Sequence, residues 1–287
     1  MEPTSEPVVT TRSKPIVRII GMVVAFVVLT VGSIAIYFAL FSGRSYMDDG
    51  YASDAYDCNV VGIPIHGDIY TYLPTDLGGG EDGEAEPYDA VSSEYIVDSI
   101  EQADQDEAIK AILIEIDSAG GFPVAAEEIA NALKSATKPT VAVIRQSGLS
   151  AAYWIATGAD KIYASRNSDV GSIGVTMSYL RNLNEPGQYV QISSGKYKDA
   201  GDPDKDLTSE EKALFMRDVN ITHRNFIEAV AANRGLSVEA VTAIADGSSV
   251  LGVQAKELGL IDEIGSWNEA LNYLDGEIGE PVEVCWQ

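Results

Sequence analysis

The chain has 287 residues and a formal net charge of −25, with 19 Lys and Arg against 44 Asp and Glu. Such a surface repels the phosphates of nucleic acid, so nucleic-acid binding is set aside. Its two cysteines, Cys58 and Cys285, and two histidines, His66 and His223, form no CxxC motif or His/Cys cluster, which argues against a zinc site, and no cofactor is expected.

Residues 1–18 include Pro3, Pro7 and Pro15 and read as a disordered cytoplasmic tail. From Ile19 to Phe41, 23 residues pass without a charge, long enough to cross a bilayer and longer than a signal-peptide core. Arg12, Lys14 and Arg18 precede this run, while Asp48, Asp49, Asp54 and Asp57 follow it. The positive-inside rule therefore sets the N-terminus in the cytoplasm and the rest outside. The expected organisation is a signal anchor at 19–41, a spacer at 42–59 and one extracytoplasmic domain at 60–287. Both cysteines lie on the outer side, where a disulfide or two separate thiols fit equally well.

In the domain, Val60–Ile65 reads as a first strand, followed by a second extended piece at Ile69–Leu73. Residues 74–90, with Gly78-Gly79-Gly80 and six acidic residues, read as an exposed insertion; the glycines lack the Lys and Ser/Thr of a phosphate-binding loop. Ser92 or Ser93 caps a helix to about Gln102. Ala111–Ile116 is a buried strand ending in a turn at Asp117–Gly121, and a helix carrying Val124, Ala125, Ile129, Ala132 and Leu133 follows, stopped by Lys138-Pro139.

Val141–Ile144 is another continuous apolar strand, Ser147-Gly148 breaks it, and a helix opens at Ala151 before a short strand ending near Ser165. Thr208 with Glu211 and Ser266 with Glu269 form capping boxes, the first opening a long helix stopped by Gly235. Shorter helices are expected at Val238–Ala245 and Val253–Leu258, and Pro281–Trp286 reads as an edge strand. Alternating strands and helices imply an α/β fold with a parallel sheet covered by helices.

In such folds, sites form where strand-to-helix turns converge at the carboxyl ends of the strands. Two of these turns are unusual: the Gly120-Gly121 pair and Ser150. A serine there exposes its hydroxyl beside the next backbone N–H, which suits a nucleophile, although a serine at a helix start is more often only a cap. A nucleophilic serine needs a base. His66 follows a strand, whereas His223 lies mid-helix beside Arg224 as an ordinary surface histidine does. The other choice is a lysine in Ser194–Gly201, where Lys196 and Lys198 face the same way and alternation does not separate them. Nearby Asp199, Asp202 and Asp204 favour a charged ammonium unless it is buried away from them.

The ordered segments IEIDSAGGFPVAAEEIANAL, VAVIRQSGLSAAYWIATGADKIYAS, VGSIGV, GKYKDAG, a long helix ending NRGLS, and ADGSSVLGVQAKELGLIDEIG resemble the signal peptide peptidase A family from about Val60 to Gly265. The resemblance implies a crotonase/Clp-protease-like fold of repeated β-β-α units and a Ser–Lys dyad. By motif, Ser150 matches the nucleophile and Lys198, before Asp199, matches the base. Gly120 or Gly121 and the N–H of Ala151 would form the oxyanion hole, with Gly171, Ser172, Ile173 and Gly174 lining the substrate side. It also implies a homo-oligomeric ring with the dyad completed between subunits. The substrates would be apolar peptides at the membrane, such as cleaved signal peptides. The chain departs from the family in Ala119, where a proline is usual, and in Ala151-Ala152, where two glycines are usual; the two methyl groups are expected to narrow the space beside Ser150. The rival readings are a related peptidase that cuts one membrane protein, an inactive membrane-tethered scaffold, and an acyl-CoA enzyme of crotonase type.

Overall fold

The sheet is built on β-branched runs that have water on neither face. In β3 (Ala111–Gly121), Ile112, Ile114 and Ile116 point to one side while Ala111 and Leu113 point to the other, and all five are fully buried. A fully buried side chain of this size contributes about 1.5–3 kcal/mol relative to exposure. Truncating Ile114 to Ala would therefore cost about 2–5 kcal/mol, the cavity included.

The computed structural model describes residues 58–73, 89–179 and 192–287. The expected tail, anchor and most of the spacer and acidic insertion lie outside them. Among the described residues no helix is long and apolar enough to cross a membrane. The strands are β1 (Val60–Tyr70), β2 (Ala90–Ser92), β3, β4 (Thr140–Leu149), β5 (Lys161–Ala164), β6 (Asp169–Gly171), β7 (Ser249–Leu251), β8 (Glu263–Ile264) and β9 (Val284–Trp286). The helices are α1 (Ser93–Gln105), α2 (Pro123–Ser135), α3 (Ala151–Ala156), α4 (Ser209–Arg234), α5 (Val238–Thr242), α6 (Gly252–Glu257) and α7 (Trp267–Ile278).

The main path of the sheet runs β2-β1-β3-β4-β5-β8, with β9 beside β1 and β6 beside β4. Pairing is parallel except between β6 and β7. The two faces bury different sets of side chains. Ile63, Ile65, Ile112, Ile114 and Ile144 pack under α1, α2, α3 and α4, whereas Leu113, Val141 and Val143 pack under Ala270 and Leu274 of α7.

Three expected boundaries move. β1 is one strand rather than two, with a register shift between His66 and Asp68. β3 continues through the expected turn, pairing Asp68 with Gly120 and Ile69 with Gly121. β4 continues through Ser147-Gly148, because β6 supplies partners there, pairing Ser147 with Asp169 and Gly148 with Val170. In each case a neighbouring strand's hydrogen bonds outweigh a local breaker. Val124 is also 56 % exposed rather than on the core face of α2. Both capping boxes form as expected, and Gly235 ends α4 in the left-handed conformation.

Cys58 and Cys285 form a disulfide. The bridge ties the start of β1 to β9, whose Val284 and Cys285 pair with Val60 and Val61.

Candidate active site

Ser150 is the single residue between β4 and α3, and its backbone sits at φ 52, ψ −123. A positive φ in a residue other than glycine costs about 1–3 kcal/mol and persists only where the surroundings hold it. Here α3 is anchored on two sides. Tyr153 is fully buried and donates from its hydroxyl to Leu260 O at 2.8 Å; burial also raises its pKa. Trp154 stacks on Phe226 of α4, with centroids 4.9 Å apart. Ala151 and Ala152 are 4 % and 0 % exposed and belong to the core. Their methyl groups pack inward instead of standing in solvent beside Ser150.

The end of β3 presses against this elbow. A Cβ on Gly120 would stand 2.9 Å from Ser150 Cβ, 3.0 Å from Leu149 O and 3.1 Å from Ala151 N, and Gly120 has φ 118. Only glycine permits that approach. Ser118 arranges the turn: its Oγ donates to Gly67 O at 2.6 Å and accepts the Gly120 N–H at 3.0 Å. The Gly120 amide is thus already engaged. The Phe122 N–H donates to Ile69 O at 2.8 Å, toward β1. Alternation along the strand then turns the Gly121 N–H to the opposite edge, the side of β4 and Ser150. Ala151, first in its helix, keeps an N–H without an intrahelical acceptor. Of the expected oxyanion donors, Gly121 and Ala151 therefore have amides available.

The two lysines differ sharply. Lys196 Nζ pairs with Glu210 Oε2 at 2.5 Å and lies 5.0 Å from the Tyr197 ring centroid. The hydrogen bond to Glu210 pushes its pKa up to about 12. Lys198 is exposed, and its Nζ, like Ser150 Oγ, has no hydrogen-bond or ion-pair partner among the described residues. Two of the neighbouring carboxylates are occupied elsewhere: Asp199 pairs with Lys205 at 3.0 Å, and Asp202 accepts the Asp204 N–H at 2.8 Å. The single chain thus brings Ser150, Gly120, Gly121 and Ala151 together but forms no Ser150–Lys198 hydrogen bond.

Gly171 and Ser172 also reach the elbow, since the Ser150 N–H donates to Gly171 O at 2.8 Å. Ile173 is buried and Gly174 half-buried. Neither histidine serves Ser150. His66 Nε2 lies 3.1 Å from Glu115 Oε1, and Arg145 donates to the other oxygen of Glu115 at 2.8 Å. Glu115 alternates with the buried Ile114 and Ile116, so this group occupies the face away from α3. His223 is not the surface histidine expected, because its Nε2 is buried without a partner among the described residues. A hollow on the α7 face, walled by the stacked pair Trp267 and Trp286, shares no residue with the elbow. Among the described residues, no group of three or more His, Cys, Asp or Glu is placed to hold a metal ion.

Sequence reasoning missed Ser118, although a serine two residues before a glycine amide is a recognisable turn signal.

The model of Peptidase family S49 matches residues 132–279, a little over half the chain, spanning Ser150 and Lys198. A candidate protease of Methanocaldococcus jannaschii is 35% identical over 195 residues, covering 66% of this chain and 63% of that one. A candidate signal peptide peptidase of Enterococcus faecium is 32% identical over 188 residues, covering 62% and 54%. The chain thus spans less than two thirds of the length of either relative. Among solved structures, a ClpP1 variant from Listeria monocytogenes aligns at 15% identity with a TM-score of 0.46, over 75% of this chain and 95% of that one.

Proposed function

This chain belongs to peptidase family S49, and we propose that it is a membrane-anchored serine endopeptidase with Ser150 as nucleophile and Lys198 as general base. The observation that carries this reading is the elbow: a serine at φ 52, with Gly120 packed against it and its hydroxyl unpartnered among the described residues. In the reaction, the unprotonated Lys198 amine takes the Ser150 proton as Oγ attacks a peptide carbonyl. The N–H groups of Gly121 and Ala151 stabilise the oxyanion. Collapse expels the amine, which takes the proton from Lys198, and water then hydrolyses the acyl-enzyme.

An unprotonated lysine must be desolvated. Lys198 is exposed in the single chain, so its cover comes from a neighbouring copy in a ring-like homo-oligomer. Gly171, Ser172, Ile173 and Gly174 border the substrate. The uncharged run Ile19–Phe41 anchors the domain at the membrane, which favours apolar peptides such as cleaved signal peptides. The Cys58–Cys285 bridge supports an extracytoplasmic position, since disulfides persist in oxidising compartments.

The test is cleavage of apolar fluorogenic peptides by the full chain in detergent. Ser150→Ala and Lys198→Ala should each lower turnover roughly ten-thousand-fold. A wild-type chain that assembles yet cleaves nothing in a broad peptide panel would sink the proposal and favour an inactive scaffold.

A further inference from the structure

The Ser150 amide is held by a peptide plane that is itself clamped from the far side. In a trans peptide the C=O and the following N–H point in opposite directions. The Gly171–Ser172 peptide uses both: its carbonyl accepts the Ser150 N–H at 2.8 Å, and its N–H donates to Ser248 O at 3.1 Å. Rotating that plane would break both bonds at once. Ser172 fixes the plane with its side chain, donating from Oγ to Gly247 O at 3.0 Å. Its φ of 51 makes it, with Ser150, one of the two non-glycine residues of positive φ among the described residues. Strain of this kind, about 1–3 kcal/mol, has to be held by specific bonds.

The two carbonyls that hold Ser172 are consecutive, and a single carboxylate shapes the turn that presents them. Asp246 Oδ1 accepts both the Ser248 N–H at 2.9 Å and the Ser248 hydroxyl at 2.6 Å. The bond from the Ser248 hydroxyl, followed by that from its N–H, holds the Asp246 carboxyl below its usual pKa. Pairing of β6 with β7, Gly171 opposite Ser249, sets the turn beside the peptide plane.

We propose that Ser172, held by the Asp246–Ser249 turn, is a positioning residue for Ser150: its hydroxyl fixes the peptide plane that fixes the nucleophile's own amide. This rests on the reading of Ser150 as nucleophile. It gives Ser172 a role distinct from lining the substrate, because its hydroxyl proton is committed to Gly247 O.

Four variants of the full chain test it: Ser172→Ala, Ser172→Gly, Asp246→Ala and Asp246→Asn. Two readouts are used, peptide cleavage and hydrogen exchange at the Ser150 amide, with melting temperature to confirm folding. Ser172→Ala should lower kcat about tenfold with KM unchanged and speed exchange at the Ser150 amide about as much, the loss of one well-placed hydrogen bond. Ser172→Gly, which relieves the strain but lacks the hydroxyl, should also be slow. Asp246→Ala should be slowed severalfold, and Asp246→Asn, which keeps an oxygen acceptor, should recover most of the rate.

A rise in KM with kcat unchanged would overturn the proposal, since it would mark Ser172 as a substrate contact. So would wild-type kcat and wild-type exchange in Ser172→Ala. If the wild-type chain cleaves nothing, the peptidase reading fails separately. Exchange at the Ser150 amide then decides the clamp alone, faster in Ser172→Ala upholding it and unchanged overturning it.

Discussion

Gly120 and Ser150 meet backbone to elbow: a single added carbon on Gly120 would lie 2.9 Å from Ser150 Cβ. The strand that ends in the glycine pair therefore sets where the serine stands. Gly120→Ala meets two costs, a left-handed φ and a backbone clash with Leu149 O and Ala151 N. It should destabilise the domain by about 1–3 kcal/mol, and displacing the serine should lower kcat about a hundredfold. Melting curves and peptide turnover measure the two losses. A fully active, equally stable variant would show that the contact does not position Ser150.

Lys196 and Lys198 should separate cleanly on mutation. Lys196 is committed to Glu210, which favours its charged form and makes it a poor acceptor for the serine proton. Lys196→Ala should keep turnover within about twofold, the exposed ion pair contributing little, while Lys198→Ala should lose it. Measured side by side, equal losses in the two variants would contradict the assignment of Lys198 as the base.

Glu211 gives a pH dependence whose direction follows from its bonds. It lies buried at the start of α4, where Lys205, the Thr208 N–H and the Thr208 hydroxyl push its pKa down from 4.5 to about 2. A depressed carboxylate stabilises the fold above its unfolded pKa, and that stabilisation is lost as pH falls through the folded value. Glu211→Gln should therefore melt below wild type at neutral pH. The gap should close between about pH 4.5 and pH 2. A gap that stays constant over that window would refute the linkage.

Removing the Cys58–Cys285 bridge frees β9 from the edge of β1. Replacing both cysteines with Ala should cost about 2–4 kcal/mol. Trp286 stacks on Trp267 with centroids 4.9 Å apart. Reduction should therefore disturb the near-ultraviolet circular dichroism of the tryptophans before the rest of the domain unfolds. A doubly substituted chain with wild-type stability and spectrum would mean that strand pairing alone holds β9.

Local signals made much of this fold legible in the sequence. Thr208 with Glu211 and Ser266 with Glu269 satisfy helix-start amides from within four residues, so the capping boxes could be read directly. The apolar runs of β3 and β4 have nowhere to lie but between two helical layers. Ser150 at a strand-to-helix junction, the glycine pair and the two lysines were likewise visible as candidates.

What distance along the chain hides, only the tertiary structure decided. Gly121 belongs to a strand because Ile69, 52 positions earlier, pairs with it. Lys196 differs from Lys198 because α4 brings Glu210 to one and no partner to the other. Cys58 reaches Cys285 because β9 pairs with β1 across a separation of 227 residues. Ser172 holds its strained backbone because a turn 75 residues away presents two carbonyls to it. A sequence states periodicity and caps, which act over one or two turns. Which amides are free, which lysine is paired and which serine is strained depend on groups that only the folded sheet places within hydrogen-bond reach.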